Sequence, residues 1–252
     1  MIRRLPAIAG LVAAVLVPVI VALWAAPPPA PRPGTEALPD FTAIAAPAER
    51  RDRFIAYLEP VVAEVNAELR DRRARLHTIE ERHAAGRLLQ RDLRWLVHSA
   101  RRYRVDTNDV DDVVELLERL EPRVDIVPAG LAIAQAGIES GWGQSRFARE
   151  GNNLFGEWCF EEGCGLIPQA RHPSAQHEVR TFATVHAAVR SYMHNLNSHR
   201  AYATLRRLRA EARAAGREPQ ALELAAGLYP YSQRGQDYVD DVRAVIRAND
   251  LD

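Results

Sequence analysis

The chain has 252 residues and 47% of them are hydrophobic, which suits one domain of medium size with an appendage. Its 33 basic and 33 acidic residues give a formal net charge of zero. A neutral chain argues against the counterion-driven binding that is typical of nucleic-acid partners. We therefore expect no nucleic acid among its ligands.

The first residues have the features of a targeting segment. Arg3 and Arg4 precede an uncharged apolar run from Leu5 to Ala26. A cleaved signal peptide has an apolar core of ~7–15 residues, whereas a membrane span needs ~20. The length favours an uncleaved anchor over residues 1–26 in the inner membrane, with the arginines inside and the rest periplasmic. Secretion after cleavage is the alternative, and the Pro/Ala-rich residues 27–47 are predicted to be a stiff linker.

Helical spacing dominates most of the remaining sequence. Residues 48–120 carry apolar positions at helical intervals and mixed charges between them, which predicts a helical region without an assigned role. From Pro128 a helix follows that is apolar nearly all round, and therefore central, and Gly141 is expected to end it. Residues 156–184 are rich in Gly and Pro, and the alternation in EVRTF predicts a small sheet. The fold class is thus α+β and mainly α.

One acid, Glu139, lies at the C-terminal end of this central helix, in the sequence GIESGWG. The negative end of the helix dipole and partial burial both raise the pKa of a carboxyl in such a place. A carboxylic acid that stays protonated near neutral pH is a general acid, which is what protonation of a glycosidic oxygen requires. The alternative is a helix-end acid that pairs with Arg146 or Arg149.

The residues around Glu139 allow two interpretations. The rings of Trp142 and Phe155 can stack on sugar faces, and the amides of Asn152 and Asn153 can bond N-acetyl or hydroxyl groups. Ordinary core packing and turn formation explain the same residues. Glycoside hydrolysis also uses a second carboxylate, and Glu178 in EVRTF is a candidate because the alternation could direct it to a cleft.

Two cysteines, Cys159 and Cys164, are close in sequence. In an exported chain they are expected to form a local disulfide, and two free thiols are the alternative. No second ligand pair completes a zinc site, and Thr181 stands where a zinc-binding helix needs a histidine. Ser140 lacks the preceding glycine of a nucleophile elbow. We expect no metal and no cofactor.

The stretch YPYSQRGQDYVDDV near the C-terminus contains Tyr229, Tyr231 and Tyr238, and the last two are the candidates for a site. A tyrosine in a cleft can orient water or an acetamido group. Helix packing is the alternative and suits Tyr238 well, and spacing alone does not decide between them.

The stretches AQAGIESGWGQSRFAREGNNLFGEWCF, EVRTFAT and YSQRGQDYVDDV, in this order, resemble the glucosaminidase domain of peptidoglycan hydrolases (glycoside hydrolase family 73) and most closely its Bax-like branch. The resemblance predicts a domain over 121–252, preceded by the helical region. It implies a lysozyme-like fold, with an α lobe, a small β lobe and a cleft between them. It also implies cleavage of the β-1,4 bond after N-acetylglucosamine in peptidoglycan glycan strands.

The resemblance also implies roles by position. Glu139 matches the general acid, Glu178 a second carboxylate, and Tyr231 a residue that positions substrate or water. The cysteine pair is typical of the Bax-like branch. Trp142, Asn153 and Phe155 match motif positions that line or support the cleft. Together with Asn152 and Tyr238 they are the candidate substrate-binding residues.

Three hypotheses follow for the function. The leading one is a membrane-anchored periplasmic endo-β-N-acetylglucosaminidase. A lytic transglycosylase is the second, although those enzymes usually carry a Gly-Leu-Met-Gln type of segment where this chain has NNLFG. The third is a wall-binding or scaffold protein without catalysis.

Overall fold

The computed structural model describes residues 33–107, 112–169 and 176–252. The predicted anchor at 1–26 and the first part of the predicted linker lie outside these residues. Within the described ranges, no helix combines the length and the apolar character that a membrane crossing requires.

The described part of the chain is mainly helical, as the sequence predicts. A short 3-10 turn at Phe41–Ala43 precedes the first of these helices, and two more, Arg200–Tyr202 and Ala225–Tyr231, lie between later ones. The α-helices are α1 (Pro47–Ala84), α2 (Gln90–Arg102), α3 (Val113–Leu120), α4 (Ala129–Ser140), α5 (Arg146–Gly151), α6 (Val185–Ser198), α7 (Ala203–Ala214), α8 (Ala221–Leu224) and α9 (Gln236–Ala248).

A small antiparallel sheet lies between α5 and α6 in the sequence. Its strands are β1 (Trp158–Cys159), β2 (Gly165–Leu166) and β3 (Glu178–Arg180), in the spatial order β1-β3-β2. Cys159 pairs with Glu178, and Leu166 pairs with Val179. The prediction of a mainly helical, lysozyme-like fold with a small β lobe is confirmed.

Helix α4 is the centre of the main core. Its residues from Gly130 to Gly137 are all buried, which agrees with a helix that is apolar nearly all round. Apolar side chains of the first half of α1, of α6 and of α9 pack in the same cluster: Phe54, Leu58, Val61, Val65, Val189, Met193, Val239 and Val242. The end of α4 that carries Glu139 is thereby fixed by helices from both halves of the chain.

A second apolar cluster lies further along α1. The second half of α1 packs there with α2 and α3, through Leu76, Ile79, Leu96, Ala100, Leu116, Leu117 and Leu120. Helix α1 therefore takes part in two clusters and connects the helical region to the main core. The predicted boundary between 48–120 and 121–252 stays a prediction.

The described part of the predicted linker packs against the rest of the protein. Phe41 is 1% exposed, and its ring lies 5.3 Å from that of Phe54, centroid to centroid. A Cβ at Gly143 would lie 2.5 Å from the Phe41 ring, so this contact requires a glycine. The amide of His186 also donates to the carbonyl of Gly34 (3.1 Å). Residues 34–44 thus form a packed strap, because a buried aromatic side chain holds them to the core.

Candidate active site

Helix α4 ends one residue after Glu139, in a turn that its own sequence stabilises. Gly141 has a φ of 60°, the left-handed conformation in which glycine commonly ends helices. The hydroxyl of Ser140 donates to the carbonyl of Ala136 (2.6 Å) and accepts from the amide of Gly143 (2.8 Å). The turn is therefore rigid, and it fixes the position of the carboxyl that precedes it.

The Glu139 carboxyl is partly buried, and its two oxygens have different surroundings. Oε1 accepts a hydrogen bond from the hydroxyl of Tyr238 (2.7 Å). Oε2 faces Gly156, where a Cβ would lie 3.8 Å away. Burial raises the pKa of Glu139, and the smaller opposing effect of the Tyr238 hydrogen bond leaves it above its ordinary value. The direction agrees with the sequence-based expectation of a general acid.

The two C-terminal tyrosines have different contacts from those expected. Their rings lie parallel, with centroids 5.4 Å apart. The Tyr231 hydroxyl donates to the carbonyl of Phe155 (2.8 Å), whereas Tyr238, in the first turn of α9, donates to Glu139. Tyr238, expected to bind substrate, thus contacts the acid, and the hydroxyl of Tyr231, expected to position water or substrate, is bonded to the backbone.

Phe155 is a core residue in the structure. It is 2% exposed, and its ring stacks on that of Tyr192 at 4.0 Å between centroids. The predicted stacking of Phe155 on a sugar face therefore has no exposed ring surface to use. Core packing, the alternative weighed from the sequence, describes this residue better.

The side chains of the two asparagines form hydrogen bonds with backbone groups of the protein. The Asn153 amide donates to the carbonyls of Glu157 and Arg180, and its oxygen accepts from the amides of Phe155 and Glu157. Asn152 has a φ of 52° after α5 and donates to the carbonyl of Phe182 (2.9 Å). Their side chains thus tie the loop before β1 to β3. Turn formation fits these contacts better than direct substrate binding.

Trp142 supports the turn after Glu139. Its ring packs edge-on against Phe54 with 5.7 Å between centroids, and a Cβ at Gly137 would lie 2.7 Å from it. The indole therefore covers the last turn of α4 and joins it to α1. Trp142 as a whole is half-buried, so its place at the cleft stays a prediction.

Glu178, the predicted second carboxylate, is 5% exposed, and both of its carboxylate oxygens accept hydrogen bonds from backbone amides. Its Oε1 accepts from the amide of Gly163 (3.1 Å) and its Oε2 from that of Gly165 (2.7 Å). Its carboxylate also lies within 4.8 Å of the sulfurs of Cys159 and Cys164, which are bonded to each other in a disulfide. Glu178 holds the turn between β1 and β2, and its hydrogen bonds within the described residues do not include one to Glu139. Cysteines in a disulfide have no thiolate to offer a metal.

A carboxyl that the sequence did not single out, Glu157, is half-buried beside the site. Its Oε2 accepts from the hydroxyl of Ser191 (2.8 Å), and its buried Oε1 has no hydrogen-bond partner among the described residues. Burial raises the pKa of Glu157. Glu157 and Glu139 both interact electrostatically with Tyr192 and Tyr202, so they border one tyrosine cluster. The sequence feature that could have indicated Glu157 is its position directly after Gly156, at the end of NNLFGE.

Comparison with known proteins adds to this geometry. Residues 114–251 match the family described as Glucosaminidase, mannosyl-glycoprotein endo-beta-N-acetylglucosaminidase. The relative named Protein bax, from Escherichia coli (strain K12), is 30% identical over 215 residues, which are 85% of this chain and 75% of the relative. No solved structure gives a significant match. The matched segment includes Glu139, Glu157, Glu178 and both C-terminal tyrosines.

Proposed function

The chain belongs to the glucosaminidase family, in its Bax-like branch, and from this premise we propose that it is a peptidoglycan hydrolase. Membership supports a glycosidase type of activity on a glycan. The finer proposal is an endo-β-N-acetylglucosaminidase that cleaves the β-1,4 bond after N-acetylglucosamine. The observation that carries it is the partly buried Glu139, whose Oε1 is bonded to Tyr238 and whose Oε2 faces a position without a side chain.

In the proposed first step, Glu139 acts as the general acid. Its raised pKa favours the protonated form, and its proton passes to the glycosidic oxygen as the bond to the anomeric carbon breaks. Positive charge develops on that sugar ring. The carboxylate left on Glu139 is stabilised by the Tyr238 hydrogen bond to Oε1.

The second step needs a group that stabilises the oxocarbenium-like centre. Because both oxygens of Glu178 are bonded to backbone amides, we assign this part to the acetamido group of the substrate itself. Water then attacks the anomeric carbon, and the Glu139 carboxylate takes up its proton. Glu139 is thereby returned to its protonated state.

The test uses purified sacculi and the Glu139→Gln variant. We expect the wild type to release fragments with reducing N-acetylglucosamine ends, and the variant to lose ~10²–10⁴-fold in rate, the usual contribution of general acid–base catalysis. A matched control is Glu150→Gln, since Glu150 is 50% exposed and pairs with Arg146 on the surface of α5. Anhydro-muramic ends would indicate transglycosylation, and binding without digestion a wall-binding protein.

We also propose that the chain acts in the periplasm, held in the inner membrane by residues 1–26. The disulfide between Cys159 and Cys164 supports this, because such bonds persist in oxidising compartments. Cell fractionation with thiol labelling tests it. We expect full-length protein in the membrane fraction, with both cysteines in the disulfide and therefore unreactive towards the thiol label. A shortened soluble protein would show cleavage, and a cytoplasmic protein with free thiols would contradict the proposal.

A further inference from the structure

Three buried side chains form a chain of hydrogen bonds that ends on Glu139. The Tyr192 hydroxyl donates to Gln135 Oε1 (2.5 Å), Gln135 Nε2 donates to the Tyr238 hydroxyl (2.9 Å), and Tyr238 donates to Glu139 Oε1 (2.7 Å). The exposed fractions are 0% for Gln135, 2% for Tyr192 and 3% for Tyr238. The chain joins α6, α4 and α9 inside the core.

All three bonds run in one direction, and Gln135 determines that direction. Among the described residues, the buried Tyr192 hydroxyl has its acceptor in the Gln135 oxygen, so the amide nitrogen of Gln135 is what faces Tyr238. The Tyr238 oxygen therefore accepts from Gln135, and its own proton is left to point at Glu139. Oε1 of Glu139 must then be an acceptor. A proton carried by Glu139 lies on Oε2, the oxygen that faces Gly156.

We propose that Gln135 is a positioning residue that keeps the transferable proton of Glu139 on Oε2. The inference rests on the proposed function, because it describes the acid of that reaction. Without Gln135, the Tyr238 hydroxyl is free to rotate and to accept a hydrogen bond from Glu139. The acid proton would then lie on Oε1, inside the protein, and would not be presented to a glycosidic oxygen.

The groups that surround Glu139 allow this to be tested by titration. The titratable groups around it are Tyr238 on α9, Tyr192 on α6, Tyr202 and Tyr231 in 3-10 turns, and Glu157, which borders the same tyrosine cluster. Helices α1 and α8 pack apolar side chains against α4. Burial raises the pKa of each tyrosine, that of Tyr202 to about 12, so the tyrosines stay neutral where carboxyls titrate. Glu139 and Glu157 are the members of this group that change charge.

The experiment compares Gln135→Met with the wild type, since methionine keeps the length and removes both hydrogen bonds. Because Tyr238 can then accept a hydrogen bond from Glu139, the protonated acid is stabilised and its pKa rises, so the alkaline limb of the rate profile moves up, by about one pH unit. The value of kcat falls about tenfold or more because the proton is misplaced, while KM stays near that of the wild type. A titration of the Glu139 carboxyl carbon by NMR, assigned with Glu139→Gln, shows the same shift without any substrate.

The matched control is Asn66→Leu. Asn66 is a buried amide that also makes two hydrogen bonds, to the amide and carbonyl of Val127, away from the acid. It is expected to lose stability without moving the alkaline limb or the Glu139 titration. Tyr192→Phe leaves Gln135 in place but frees its oxygen, so a smaller shift in the same direction is expected, and this variant serves if Gln135→Met does not fold.

The inference is overturned if Gln135→Met, or Tyr192→Phe in its place, leaves both the Glu139 titration and the alkaline limb where the wild type has them. The NMR readout separates this failure from failure of the proposed function. The wild type could cleave no peptidoglycan while Gln135→Met still shifts the Glu139 titration. That result would support the role of Gln135 and reject peptidoglycan as the substrate. If cleavage is confirmed and the titration does not move, Gln135 is structural only.

Discussion

Glu139 and Glu178 are both glutamates that the family resemblance marks as functional, yet they lie in contrasting surroundings. Glu139 accepts one side-chain hydrogen bond at Oε1, and its Oε2 faces Gly156. Glu178 has both oxygens bonded to amides of one turn, beside a disulfide. The Glu178 oxygens are turned to backbone amides, whereas Oε2 of Glu139 can present a proton to a substrate. We therefore propose that the α lobe carries the chemistry and that Glu178 supports the β lobe.

The largest expected effect is on the α-lobe side of the comparison. Besides the loss of activity described above, Glu139→Gln is expected to raise the melting temperature near neutral pH. A carboxyl with a raised folded pKa binds its proton more tightly in the native state, so it costs stability as pH rises through that pKa. Thermal unfolding across pH checks this, and the gain should vanish below the ordinary carboxyl range. A variant that is less stable at every pH would contradict it.

The second effect is on the β-lobe side. Glu178→Gln removes the charge that two backbone amides share, and hydrogen bonds to charged groups contribute ~1.5–3 kcal/mol each, so we expect a loss of about 3 kcal/mol in unfolding free energy. The rate, measured below the transition, should stay within about threefold of the wild type. Chemical denaturation and sacculus digestion check the pair of results. Loss of activity at unchanged stability would make Glu178 a catalytic residue.

A smaller effect is expected from the disulfide. The two cysteines are five residues apart, and closing so short a loop stabilises by about 2 kcal/mol in the chain-entropy model. Reduction should lower the melting temperature and loosen the turn that Glu178 holds, with little change in the Glu139 titration. The double variant Cys159→Ser, Cys164→Ser is the control, because its melting temperature should not respond to reductant.

The smallest effect is expected from Tyr238→Phe. It removes the hydrogen bond that lowers the pKa of Glu139, so the alkaline limb of the rate profile should move to higher pH. We expect kcat to fall about tenfold, equivalent to ~1.4 kcal/mol of transition-state stabilisation. Tyr231→Phe is the matched comparison, because its hydroxyl bonds the carbonyl of Phe155 and not the acid. An equal shift in both variants would contradict the assignment of Tyr238.

Features set by local sequence were predictable. The apolar character of α4, the glycine after it and the dipole at its end placed Glu139 at the edge of the core, and the structure has it there. The alternation in EVRTF predicted a strand, and β3 occupies Glu178–Arg180. Each of these depends on a few neighbouring residues, which a sequence displays directly.

Features set by distant contacts were not predictable. Gln135 and Tyr238 are 103 residues apart, and their hydrogen bond depends on how α9 is rotated against α4. The hydrogen bond from Asn153 to the carbonyl of Arg180 likewise forms only because β3 passes close to Asn153. Spacing within a motif shows which side chains are present, but not which of them point into the core.

The packing of α1 shows that the segment matched by the family model is shorter than the unit that folds. The family match begins at residue 114, yet the apolar core around α4 includes Phe54, Leu58 and Val61, and Phe41 lies against the turn after Glu139. A recombinant fragment trimmed to the matched residues would expose one side of α4 to water. A recombinant protein should therefore begin before Gly34, with the strap intact, if the acid is to keep its native geometry.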